Sequence, residues 1–162
     1  MNLIELYDNT KKLAAWRASY AQNQQWNLKN VIPFAGTHTL LFQATCFGET
    51  EHSEHVVNIQ FSGVEYSEEK HPDFKEIEYK EEKYWFKRPT LKSECTVRCS
   101  CSDFQFRWAW SNKKHKALFG SVPKKYKRKT TTRPPVNPDH IPGICKHVFQ
   151  LQAYLKHHDY ME

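Results

Sequence analysis

Cys99-Ser100-Cys101 and Cys145-Lys146-His147 bring three thiols and one imidazole together as two closely spaced pairs, separated by residues 102–144. Three thiolates and an imidazole are a complete tetrahedral ligand set for one zinc ion, which asks only for four well-placed nitrogen or sulfur donors. Two short pairs suffice, each carried by its own local element and joined by folding. Four protein donors close the coordination sphere, so such an ion holds a chain together and has no open position to activate water. Two other readings compete. Five cysteines could form disulfides, but the odd count, the length of 162 residues and the lack of a recognisable signal peptide weigh against that. They could be buried free thiols, a common role; the coincidence of both pair spacings favours the metal. Cys46 lies in an apolar alternating run and reads as core. Cys95 precedes Cys99 by four residues, roughly 13 Å along a strand at about 3.3 Å per residue, and also reads as core. His140 is the reserve ligand should His147 fail.

Each pair has an element to position it. Cys95-Thr-Val97-Arg-Cys99-Ser-Cys101 alternates strictly, which predicts a strand with Cys95, Val97, Cys99 and Cys101 on one face. The end of that strand presents both thiolates in one direction. From Cys145 to His157 the pattern is helical, with Val148, Leu151 and Leu155 on one stripe. Pro142-Gly143 is turn chemistry that re-aims the chain just before it. The positive end of that helix favours a thiolate at Cys145.

The rest of the chain reads as a scaffold around these two elements. Residues 3–20 form an amphipathic helix, with Leu3, Leu6, Tyr7, Thr10, Leu13, Ala14 and Arg17 recurring at three and four. Residues 21–36 read as a polar, turn-rich connection ending at Pro33 to Gly36. Strands follow: Thr39 to Phe47, then Val57, Ile59 and Phe61, then a hairpin in which Ile77 and Tyr79 oppose Tyr84 and Phe86. Strands without intervening helices predict an antiparallel meander, with the Cys99 strand its last member. The expected fold class is α+β: an N-terminal helix, a small antiparallel sheet, and a zinc-stapled C-terminal helix with a basic, proline-rich insert. We read 1–162 as one unit, with 1–90 the helix and meander portion and 91–162 a zinc module carrying the insert 102–144.

The insert has its own character. Between Phe104 and Pro138 there is no Asp or Glu, while Lys124, Lys125, Lys127, Arg128, Lys129 and Arg133 crowd one short stretch. The net charge of +6 is therefore unevenly spread, because Glu49 to Glu82 is acidic. A basic patch of this kind suits phosphates or an acidic protein surface; the bland alternative is a solvated loop. Phe104, Phe106, Trp108 and Trp110 alternate with Gln105, Arg107 and Ala109, which predicts a strand with one aromatic face. Packing under the insert is the favoured role for that face; the sharper one is a stacking platform for bases, with Trp108 or Trp110 as the stacking residue. Pro123, Pro134, Pro135 and Pro138 make 121–138 irregular, an extended arm suited to lie along a neighbouring subunit.

Function classes narrow accordingly. No stretch approaches a membrane span, and no leader is recognisable, so the expectation is synthesis in a reducing cytoplasm. No phosphate-binding glycine loop or nucleophile elbow occurs, and enzymatic function has no support. Glu51, His52, Glu54 and His55 could hold a second metal, but their place between two strands reads as a solvated loop. No small-molecule substrate is implied.

The C-x-C strand followed at a distance by C-x-H on a helix resembles the SWIM-type zinc finger, over roughly Cys95 to His157. That resemblance carries the ligand roles onto Cys99, Cys101, Cys145 and His147, with a spacer longer than the family usually has. It implies nucleic-acid and protein contacts. The run from Tyr126 to Pro138, with the following Pro142-Gly-Ile-Cys-Lys-His147, is also similar to small proteins of tailed bacteriophages, which implies a virion component in contact with neighbouring virion proteins. Two functional expectations follow: a non-enzymatic, zinc-stabilised assembly protein of a phage particle, or a nucleic-acid-binding adaptor that uses the basic insert.

Overall fold

The computed structural model describes residues 1–23, 27–47 and 53–162. The fold is mixed α+β, as expected. Helix α1 spans Leu3–Asn23 and is interrupted at Ala14, whose backbone leaves the helical region (φ −149°, ψ 59°). Strands β1 (Leu28–Ala35), β2 (Thr39–Phe47) and β3 (Glu54–Ser62) form an antiparallel meander. The chain then leaves the sheet to build a smaller one from β4 (Tyr66–Ser67), β5 (Phe74–Tyr79) and β6 (Glu82–Lys87), ordered β4-β6-β5. It returns as β7 (Cys95–Cys99), which pairs antiparallel with β3 and gives the first sheet the order β1-β2-β3-β7. The single meander expected from sequence is thus two sheets, because the β5–β6 hairpin packs across the first sheet instead of extending it: Phe42 meets Phe86 edge-on at 6.5 Å and Phe34 meets Tyr79 at 6.0 Å.

Two strands, β1 and the two-residue β4, had no counterpart in the sequence reading. The segment read as a connection over 21–36 contains β1. Its sequence hides the strand because it never alternates cleanly. Asn30 adopts a positive φ of 52°, and the pairing register shifts between Lys29 and Ile32, the signature of a bulge. Pro33 is tolerated because β1 is an edge strand, where a missing N–H costs no ladder bond.

The core follows from strand alternation. Leu40, Phe42, Ala44 and Cys46 of β2, Val57, Ile59 and Phe61 of β3, and Cys95, Val97 and Cys99 of β7 are buried on the sheet, joined by Leu3 and Leu6 of α1. Helix α3 (Lys146–His157) packs Val148, Leu151 and Leu155 into the same core and lies against α1, β3 and β7. No helix of the described residues is long and apolar enough to cross a membrane. Glu54 and His55 open β3, whereas Glu51 and His52 lie outside the described residues, so the expected acidic His cluster is not described as a unit.

The aromatic run is helical, not extended. Phe104–Trp108 is a π-helical turn, closed by the Ala109 N–H on the Phe104 carbonyl, and it continues into α2 (Ala109–Lys114). Helical phase separates what a strand would keep on one face. Phe104 and Trp108 turn into the core with no exposed surface, and Phe106 turns out with 55% exposure. Trp108 therefore has no free face to offer a base, and its packing role prevails.

Candidate metal centre

Cys99, Cys101, Cys145 and His147 are all buried, and their ligand atoms lie within 4.8 Å of one another. Cys99 ends β7, opposite Val57 of β3, and Cys101 follows two residues on at the start of the helical turn. Cys145 is the N-cap of α3 and His147 lies in its first turn. The centre ties the edge of the main sheet to the C-terminal helix.

The spacing suits one ion. Tetrahedral geometry with metal–sulfur bonds of about 2.3 Å and metal–nitrogen bonds of about 2.0 Å sets sulfur–nitrogen separations near roughly 3.6 Å. The Cys99 Sγ to His147 Nδ1 distance is 3.6 Å. The Cys/His group could hold one metal ion. Two backbone N–H groups point at the sulfurs: Cys101 N–H donates to Cys99 Sγ at 3.4 Å and Phe104 N–H to Cys101 Sγ at 3.3 Å. Such N–H···S bonds stabilise thiolates and orient metal-binding cysteines. The His147 ring is covered by His55, with ring centroids 4.8 Å apart, so β3 supplies the wall behind the ligand.

The three thiols of the cluster are not equivalent. Cys101 is held well below the usual thiol range, first because Cys145 donates to it and then because Cys99 does. Cys99 is pushed up, chiefly by its hydrogen bond with Cys101, and Cys145 is pushed up by complete burial. At Cys145 burial opposes the help that the helix end gives a thiolate. A divalent cation held by these sulfurs would supply the attraction that favours their thiolate forms.

The remaining cysteines are core. Burial raises both Cys46 and Cys95 to about 12. Cys46 donates from its thiol to Gln150 Oε1 at 3.1 Å. Cys95 is fully buried and is not part of the cluster. His140, the reserve ligand, lines a cleft of the insert and is not among the four clustered donors.

The sequence pointed to Pro142-Gly143 as the turn before Cys145, but not to the side chains that hold that turn. Asn112 clamps Gly143 from both sides: its Nδ2 donates to the Gly143 carbonyl and its Oδ1 accepts the Gly143 N–H, both at 2.9 Å. Thr10 of α1 accepts the Ile144 N–H at 2.9 Å. Gly143 is required by close approach, since a Cβ there would sit 2.5 Å from the Trp108 ring and 2.7 Å from Thr10 Oγ1. Asn137 donates to the carbonyls of Arg107 (2.9 Å) and Ile141 (2.8 Å) and accepts the Ile141 N–H (2.9 Å). Asp103 receives both Arg17 of α1 (2.9 Å) and Arg107 (3.1 Å). The insert therefore returns to the candidate metal centre along a hydrogen-bonded track, signalled in sequence by the Pro142-Gly143 turn and by two asparagines in a basic segment.

The basic residues of the insert, Lys124, Lys125, Lys127, Arg128, Lys129 and Arg133, are exposed and lie in irregular backbone, as expected for this stretch. The arm is pinned at one end by Arg98, which donates to the carbonyls of Phe119 (2.8 Å) and Ser121 (2.6 Å). Comparison of the chain with protein-family models, with curated proteins and with solved structures finds no match.

Proposed function

We propose that this chain is a non-enzymatic assembly protein whose fold is stapled by one structural zinc ion on Cys99, Cys101, Cys145 and His147. The observation that carries the reading is the closed, buried set of three sulfurs and one imidazole between β7 and α3. Soft sulfur donors in tetrahedral number select zinc over the hard divalent cations, and four protein ligands leave no site for substrate. The likeness to the SWIM-type zinc finger supports the same ligand assignment. The likeness of the arm to small proteins of tailed bacteriophages makes a virion the assembly in question, with neighbouring virion proteins as partners. Metal analysis of reduced protein, purified without chelator, is expected to find one zinc per chain; a metal-free folded protein would sink the reading. Mass spectrometry of purified particles is expected to find the chain in repeated copies, and its presence only in infected-cell cytosol would remove the virion from the proposal.

A second reading, a nucleic-acid-binding adaptor, is favoured by one observation. The arm folds back over the aromatic helical turn and lines a cleft of about 460 Å³ that contains no carboxylate.

A further inference from the structure

We propose that the insert binds single-stranded nucleic acid, with successive bases on either side of the Phe106–Tyr126 pair; this deepens the second reading by naming the site. Phe106 and Tyr126 are 55% and 48% exposed, and their rings pack against each other at 4.7 Å. Large aromatics this exposed and this close form a ridge, and the ridge has a cavity on each side. One is the cleft of about 460 Å³, walled by Arg107, Trp110, Arg128, Lys129 and Arg133. The other, of about 420 Å³, is walled by Arg98, Lys124 and Lys127. Phe106, Tyr126 and Lys125 border both.

Three features point to a strand of nucleotides. Neither cavity has an Asp or Glu in its lining; Arg107 is paired with Asp103 behind it, and Lys124, Lys125, Lys127, Arg128, Lys129 and Arg133 have no ion-pair partner among the described residues, so a bound anion finds the arm's cations free. Cations alternating with exposed aromatic faces match a polymer that alternates phosphate with base. A duplex hides its bases in the stack and presents only phosphates to such a ridge, so the aromatic pair selects the single-stranded form. Trp110 adds a polar group: its Nε1–H is buried and has no acceptor among the described residues. Its ring face is occupied by Lys113 at 4.4 Å, so Phe106 and Tyr126, and not Trp110, are the stacking residues.

The cleft is held open before any ligand arrives. Arg98 fixes the arm where it leaves β7, and Arg107 holds its far end through the Val136 carbonyl at 3.3 Å. Asn137 then locks the chain to the helical turn. Pinning at both ends lowers the ordering cost on binding.

The test uses the full-length, metal-containing protein and fluorescence anisotropy with labelled ten-nucleotide oligo(dT) and oligo(rU), the matching duplex, and free thymidine monophosphate as competitor. Expected is tighter binding to the single strands than to duplex. Phe106→Ala with Tyr126→Ala should weaken binding by at least tenfold while leaving metal content and circular dichroism unchanged, given a stacking contribution of about 1–3 kcal/mol per base. Replacing Lys125, Arg128 and Lys129 with Gln should flatten the salt dependence by about 0.7 log units per lost phosphate contact. Oligo(rU) bound more tightly than oligo(dT) makes the strand RNA, and the reverse makes it DNA. Free nucleotide competing as well as the oligomers overturns the two-sided site. Binding of duplex as tight as of single strands, or binding untouched by the aromatic double variant, overturns the ridge while keeping a phosphate-binding arm. No binding of any nucleic acid at low salt overturns both the site and the second reading.

Discussion

The metal centre and the insert cleft are built from the same stretch of chain, 99–147, by opposite means. In the centre, four donors are buried between β7 and α3, and their spacing follows from two rigid elements. In the cleft, the cations sit on irregular backbone at the surface, and their arrangement depends on a few pins at the ends of the arm. Burial concentrates free energy: a misplaced sulfur in the centre has no water to fall back on. Exposure spreads it, because each surface cation keeps its hydration whether or not a partner is present. One region is therefore sensitive to single atoms, and the other to net charge and to aromatic surface.

Removing the metal ligands should produce the largest effect and set the scale for the contrast. Cys145→Ser is expected to abolish metal binding and to lower stability by on the order of 5 kcal/mol, because binding energy at a structural metal is folding energy. Chemical denaturation alongside metal analysis measures both. Retention of metal and of the unfolding midpoint would mean that the ion is held without Cys145.

The second effect is a pH dependence. Cys99 and Cys145 are held above the usual thiol range, so they keep their protons near neutrality, while Cys101 is held below it. Metal binding must then release two protons. Affinity should rise as pH rises and fall as pH falls, by about 100-fold per pH unit around neutrality. Competition with a chelator across pH reads the slope directly. A slope near one would mean that the metal-free cluster already carries two thiolates.

Asn112→Ala comes next. It leaves the Gly143 N–H and carbonyl buried and unpaired, at an expected cost of about 2–3 kcal/mol, with metal affinity reduced because Cys145 loses its aim. Gly143→Ala should cost on the order of 1–3 kcal/mol through collision with Trp108 and Thr10. Thermal unfolding and metal titration check both. Wild-type metal affinity in Asn112→Ala would show that α3 alone positions Cys145.

The smallest effects sharpen the contrast from the other side. Neutralising Lys127, Arg128 and Lys129 together should leave stability within about 0.5 kcal/mol and metal content unchanged, since exposed cations contribute little to folding. Cys46→Ser should leave metal content unchanged as well, because its sulfur faces Gln150 and not the centre. A loss of metal in either variant would contradict the separation of the two regions.

The four donors that cluster were legible in the sequence because the pattern of a metal-ligand pair is local. Two donors spaced by one residue need only a strand end or a helix start, and alternation in Cys95–Cys101 and the helical stripe of 145–157 supplied both. The α+β class, β2, β3 and the β5–β6 hairpin were legible for the same reason, since a half-buried strand writes its burial into every second residue. Strand β1 was not, because a bulge and an edge proline erase that period while tertiary pairing with β2 still forms the ladder. The aromatic run misled because its alternation satisfies a strand as well as a helical turn needs; only packing of Phe104 and Trp108 against the core decided between them. The charge of the insert was plain in composition, but which aromatics reach solvent, and that two asparagines steer the chain back to Cys145, depend on contacts between residues far apart in sequence. Spacing along the chain determined which atoms could bind a metal; long-range packing decided that the two pairs meet in one buried cluster and which face of the insert is left open.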